Sequence, residues 1–121
     1  MSARDPDLVT DWHAHLYFDA TSRDAARALR NAAQVALAGR IEIGRFHERP
    51  VGPHPRFSYQ VAFKNNQLAP LLSWLALNRG DLTIFVHPNT GQDLEDHRDR
   101  AIWLGQQVPL VLDIFTKKKD S

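Results

Sequence analysis

An α+β fold, one antiparallel sheet with its helices on a single face, is what this sequence predicts, and three observations predict it. Residues 11–18 (DWHAHLYF) alternate apolar and polar side chains, the period of a half-buried strand, and further extended segments follow at 40–47, 56–63 and 82–86. Apolar residues at helical spacing lie between the first and second of these segments and between the third and fourth. The 121 residues contain no cysteine, and a chain of that length buries one core without cross-links.

Each element has a local cause. Residues 1–10 are polar and read as a flexible leader. On strand 1 (11–18), Trp12, Ala14, Leu16 and Phe18 share one face, and His13, His15 and Tyr17 share the other. Thr21-Ser22-Arg23-Asp24 offers an N-cap for a helix over 22–38, whose Ala26, Leu29, Ala33, Ala36 and Leu37 recur at helical spacing before Gly39 stops it. Strand 2 (40–47) places Ile41 and Ile43 on one face, and three prolines between Pro50 and Pro55 make a rigid turn. Strand 3 (56–63) is aromatic and β-branched. Asn65 or Asn66 caps a second helix carrying Leu68, Leu71, Leu72, Trp74 and Leu75, which Asn78-Arg79-Gly80 ends. Strand 4 (82–86) closes on His87-Pro88-Asn89-Thr90-Gly91. A third helix is predicted over 93–106, apolar at Ala101, Ile102 and Leu104, and Pro109–Phe115 is read as either a last strand or an extended arm. The charged residues 116–121 form a tail.

The order β-α-β-β-α-β is the split βαβ, or ferredoxin-like, plan. It implies a four-stranded antiparallel sheet in spatial order 4-1-3-2, both main helices on one face, and a single domain over 11–115 with an appended C-terminal helix and short apolar tail. Trp12, Leu16 and Phe18 on strand 1, with Leu82, Ile84 and Val86 on strand 4, would face the helices.

Composition narrows the function. Without thiols there are no disulfides, thiolate zinc sites, iron–sulfur clusters or cysteine nucleophiles. No signal-peptide run and no span of roughly 20 apolar residues is present, so a cytoplasmic protein with no membrane partner is expected. The net charge is +1 with both signs mixed, and Lys117-Lys118-Lys119 alone makes no nucleic-acid footprint. No Gly-rich phosphate loop, Walker motif or Ser-centred elbow occurs.

The histidines carry the chemistry. If Leu82, Ile84 and Val86 face the helices, then Thr83, Phe85 and His87 share the open face with His13 and His15. Strand 4 runs antiparallel to strand 1, which sets His87 beside His13 or His15. Strand 3 is taken to run parallel to strand 1, which opens its entry turn, with His54, at the same edge. Four histidines from three segments then line one rim, and imidazole without thiolate suits Fe, Zn, Cu or Ni. His47 and His97 are read as ordinary surface residues. The rim also offers Tyr17, Gln60 and Arg45, Arg49 and Arg56, the arginines being able to hold a substrate carboxylate. The Asn89–Asp93 turn could bind an anion through its N–H groups, or simply cap the next helix. Glu95 or Asp96 could add a carboxylate ligand, or serve only as first-turn acids.

These motifs, Asp11-Trp12-His13-Ala14-His15-Leu16-Tyr17-Phe18, Gly52-Pro53-His54-Pro55, His87-Pro88-Asn89-Thr90-Gly91 and the stretch from Asp93 to Gly105, closely resemble the DOPA 4,5-dioxygenase family over about residues 11–115. Family members are small ferredoxin-like proteins related to the fungal enzyme that opens the catechol ring of DOPA. The resemblance implies extradiol ring opening of DOPA or a related catechol by O₂ with Fe(II), and with zinc or another divalent ion as what isolated protein can carry. It also implies a catalytic set of His13, His15, His54, His87 and Tyr17. The expected ligands are His15, His54 and His87, with His13 as a fourth ligand or the acid/base. A carboxylate from Glu95 or Asp96 either reaches in or the site uses histidines only. Two other readings of the cluster are a metal-dependent hydrolase or isomerase, and a non-catalytic dimer that binds a small aromatic ligand. A homodimer, or the 109–115 arm, is expected to cover the open face and Phe85.

Overall fold

The computed structural model describes residues 3–116. In chain order these form β1 (Asp11–Phe18), α1 (Arg23–Ala36), β2 (Glu42–Ile43), β3 (Phe57–Lys64), α2 (Leu68–Asn78), β4 (Thr83–Asn89), α3 (Asp93–Arg98), β5 (Ile102–Leu104) and α4 (Asp113–Thr116), with 3-10 turns at Pro6–Leu8 and Asn65–Gln67. One antiparallel sheet contains all five strands in the order β2-β3-β1-β4-β5. The sheet is therefore not the four-stranded 4-1-3-2 array expected, because β5 adds outside β4. No described helix is long and apolar enough to cross a membrane.

The fifth strand comes from the segment expected to finish the third helix. That helix ends at Arg98, and Ile102-Trp103-Leu104 follows a period of two rather than of 3.6. Ile102 and Leu104 pack toward the main core, Trp103 toward the opposite face, and all three pair with the otherwise free edge of β4. Gly105, at φ +90°, then turns the chain away. β2 is also shorter than expected. Past Ile43 the chain keeps only a Gly44 N–H bond to the Gln60 carbonyl and an isolated bridge between His47 and Ser58.

The main core lies between the sheet and the two long helices. Trp12, Ala14, Leu16 and Phe18 of β1 and Ile84 and Val86 of β4 meet Ala26 and Leu29 of α1 and Leu71 and Leu75 of α2. Each fully buried aliphatic side chain there contributes about 1.5–3 kcal/mol. β1 is hydrogen-bonded along its length on both sides, to β3 and β4, so its outward histidines stand on the most constrained backbone in the sheet.

A smaller core covers the opposite face. Tyr17, Phe85 and Val108 are buried there, with Trp103 and Leu110 packed against them. Pro109 has no N–H to give a ladder, and Pro109–Leu112 runs as an arm that the Val111 N–H fastens to the Pro53 carbonyl at 2.8 Å. The arm thus lies across the open face, and its last residues form α4. Apart from Thr116, the tail expected at 116–121 lies outside the described residues.

Candidate metal centre

Strand register determines which imidazoles meet. On the open face His13 stands directly opposite His87 of β4, and His15 stands opposite Phe85 of β4 and Gln60 of β3. One ring nitrogen each from His13, His15 and His87 lies within 4.8 Å of the others. His87 is 1% exposed. Its Nδ1 is 2.9 Å from the Pro88 carbonyl, which can only accept, so Nδ1 carries the proton and Nε2 keeps a lone pair. That Nε2 is 3.0 Å from the Nε2 of His15. Without a metal, His15 donates across this gap. The spacing is also about what two nitrogens roughly 2.1 Å from one ion adopt at a right angle.

His54 arrives by a different route from the one expected. β3 runs antiparallel to β1, not parallel, so its start at Phe57 lies beside Phe18, at the far end of β1 from His13. The turn before β3 folds back over the open face, with Gly52 at φ +55° and the His54 N–H bonded to the Val51 carbonyl. The His54 ring consequently sits 4.1 Å from that of His15, and its Nδ1 is 2.7 Å from the Tyr17 hydroxyl. His54 is adjacent to the three-nitrogen group rather than within it.

Burial keeps these rings neutral. Desolvation and the neighbouring His97 push His54 down to about 4 and His87 down to about 3. Desolvation, with His54 and His87 next in weight, holds His15 well below the ordinary histidine value. His13 is lowered by burial against the opposing pull of Asp11. The Tyr17 hydroxyl is pushed well above its usual range by burial, with the Arg56 charge opposing. Neutral imidazoles near pH 7 are in the charge state that binds metal, and His15 would ligate through Nε2 once its proton moves to Nδ1.

His97, read from sequence as a surface residue, belongs to this cluster. Its ring lies 4.0 Å from that of His87 and 4.4 Å from Phe115 of α4, and its Nδ1–H donates to the Asp93 carbonyl at 2.7 Å. The available signal was the separation of only ten residues between His87 and His97, which leaves little chain for His97 to turn away. Asp96 is not a ligand. It accepts from the Thr90 N–H at 2.8 Å, from the Thr90 hydroxyl and from Arg100 at 2.9 Å. Burial opposes its ionisation, but these bonds hold the carboxyl below its ordinary range. The Asn89–Asp93 turn therefore spends its Thr90 N–H on an internal carboxylate. Glu95 takes no place in the three-residue group, and Arg45, Arg49 and Arg56 are exposed. His47 shares the open face through its bridge to Ser58, since Ser58 stands opposite Tyr17.

The family model described as the Dopa 4,5-dioxygenase family matches residues 12–114. The chain belongs to the DOPA 4,5-dioxygenase family. It is 36% identical over 119 residues to a protein of Amanita muscaria named DOPA 4,5-dioxygenase, covering 93% of this chain and 52% of the fungal one. An uncharacterised 21.2 kDa protein of Botryotinia fuckeliana is 42% identical over 87 residues, covering 65% of this chain and 48% of that one. The chain thus spans about half the length of the curated relatives it matches. A crystal structure from Nostoc punctiforme, described as a candidate dioxygenase, superposes with a TM-score of 0.87 at 40% identity over 97% of this chain and 99% of that chain.

In this DOPA 4,5-dioxygenase family member, the donor set suits a divalent transition ion. One ring nitrogen each from His13, His15 and His87 converges, and His87 has its second nitrogen bonded to a carbonyl, as ligating histidines do. Among the described residues no carboxylate joins them, so the two-His-one-carboxylate frame common for non-haem iron is not built here.

Proposed function

We propose that this protein is a metal-dependent dioxygenase that opens the ring of a catechol, DOPA or a related one, in extradiol fashion. The observation that carries the reading is the group of neutral imidazoles of half-buried His13 and buried His15 and His87, whose ligating nitrogens lie within 4.8 Å of one another on the open sheet face. Family membership and the name of the Amanita relative supply the reaction class. In the overall reaction one ring carbon–carbon bond breaks, both atoms of O₂ enter the product, and no external reductant is consumed.

Fe(II), when bound, supplies a redox-active Lewis acid that brings catecholate and O₂ together. His13, His15 and His87 would hold the ion. His54 stays outside that set and exchanges the catechol proton at its Nε2, while Tyr17 fixes the ring through Nδ1. Phe85 and Trp103, stacked at 4.7 Å, exclude water from the inner wall. Three neutral imidazoles would leave the charge of a divalent ion uncompensated by the protein, which would favour a catechol bound as its anion.

The test is metal analysis of freshly isolated protein, followed by aerobic assay of Fe(II)-loaded protein with DOPA and simpler catechols. Turnover should give a yellow ring-opened semialdehyde with O₂ consumed mole for mole, and His15→Ala and His87→Ala should lose both metal and turnover. Bound zinc with oxygen-independent activity, or no metal and no turnover on any catechol, would overturn the proposal.

A further inference from the structure

One surface of this molecule is built unlike the rest. About a quarter of the chain is charged (24%), yet Asn65–Asn78, which includes all of α2, contains no ionisable side chain. Its buried face is taken up by Leu71 and Leu75, and its outward face is Ala69, Ser73, Ala76 and Leu77, with Leu77 86% exposed. A surface helix that is apolar all round is missing a neighbour. Loss of charge together with gain of apolar area is the compositional mark of an interface core.

Beside α2 lies a groove of about 760 Å³ between α1 and the turn from α2 to β4. Its α1 wall is Ala25, Ala28 and Ala32, each exposed and each small. Its other wall begins at Asn78, the residue after Leu77. A projecting apolar side chain and a groove of small residues therefore adjoin on the same face. A two-fold axis through that face places each Leu77 in the other copy's groove, the isologous arrangement of a symmetric dimer. The charges agree. The groove carries Asp19 and Asp81 with Arg56 and Arg79, two of each sign, so a second copy can set unlike charges opposite one another.

Area and accessibility point the same way. α1, with 14 residues, is about 21 Å long, and two helices side by side are about 20 Å across, a flat projection of about 420 Å², half the roughly 800 Å² per partner of a stable interface before the groove walls and the projecting side chains add to it. The other sheet face is not free for this purpose. Its Phe85 is fully buried and the chain's own arm lies over it.

We propose that two copies of this chain associate through the outer face of the helix layer, Leu77 of each seated in the α1/α2 groove of the other. The site of each copy then stays on the far side of its sheet, and this inference stands whatever reaction the histidines perform.

Size-exclusion chromatography with light scattering on the full chain at micromolar concentration should give twice the 13.8 kDa chain mass. Leu77→Glu should weaken association at least tenfold and give single chains with an unchanged circular dichroism spectrum. Ala28→Gln, which fills the groove rather than removing the knob, should do the same. Val111→Glu, at an exposed apolar residue on the arm, should leave the dimer intact. Single chains throughout the wild-type range, or a dimer indifferent to both helix-layer variants, would overturn the proposal. So would a dimer dispersed by Val111→Glu.

Discussion

With a chelator present, lowering the pH should destabilise this protein well above the pH at which its carboxylates matter. Unfolded, each imidazole takes its proton near 6.5. Folded, His54 resists protonation to about 4 and His87 to about 3, and His15 is held well below the ordinary value, all three first by burial. Across that interval the unfolded chain binds more protons, so stability rises with pH. The stabilisation is complete above about pH 6.5 and is lost as pH falls toward the folded values. Between about pH 7.5 and pH 5 His54 and His87 each give up about 2 kcal/mol, about 4 kcal/mol together, and His15 adds to the loss in the same direction. That approaches the lower end of the 5–15 kcal/mol of a typical domain. Urea titrations with a chelator present, followed by fluorescence of Trp12, Trp74 and Trp103, measure it directly. His87→Asn removes one of these groups and should cut the loss by about 2 kcal/mol. A wild-type loss under about 2 kcal/mol across this interval would refute the claim that these imidazoles are buried and neutral.

Three further outcomes follow from individual contacts. Asp96→Ala leaves Arg100 without its buried partner and should cost about 3–5 kcal/mol in urea unfolding, with much of the loss recovered when Arg100→Met is added. Phe85→Ala opens a cavity between Trp103, His15 and Val108 and should cost about 3–5 kcal/mol, read as a lowered Tm. Tyr17→Phe removes the hydroxyl bonded to His54. It should cost about 1–3 kcal/mol and alter the pH profile of catechol turnover more than zinc affinity in calorimetry, because His54 lies outside the three-nitrogen group.

The central part of the fold was legible because its strands alternate cleanly. Parity alone placed Leu16, Phe18, Ile84 and Val86 toward the helices, and His13, His15 and His87 away from them. β5 was missed because three residues are too few to reveal a period, and Ala101, Ile102 and Leu104 fit helical spacing as readily as strand spacing. His54 was expected at the site through a wrong strand direction. Its actual position depends on the backward fold of the Pro50–Pro55 turn, which no periodicity encodes. His97 was set aside because the charged residues around it suggested a solvated face. Two of those charges, Asp96 and Arg100, in fact bond to each other and to Thr90, which draws α3 inward and brings His97 against His87.

The His87-Pro88 pair shows how backbone chemistry and site chemistry coincide. As a dipeptide it suggested only a turn, yet both residues lie within β4. Proline in a strand is tolerated where its missing N–H removes no ladder bond. β5 reaches no farther along β4 than Val86, opposite Ile102, so at Pro88 that side of β4 has no neighbouring strand. The proline therefore sits where the sheet has already ended on one side, and its carbonyl accepts the proton of His87 Nδ1. That bond leaves the lone pair on Nε2, the atom that faces His15. Replacing Pro88 by another residue would keep this carbonyl but offer an unpaired N–H to the sheet edge. The cost would then fall on the edge and not on the imidazole, which separates the two parts this residue plays.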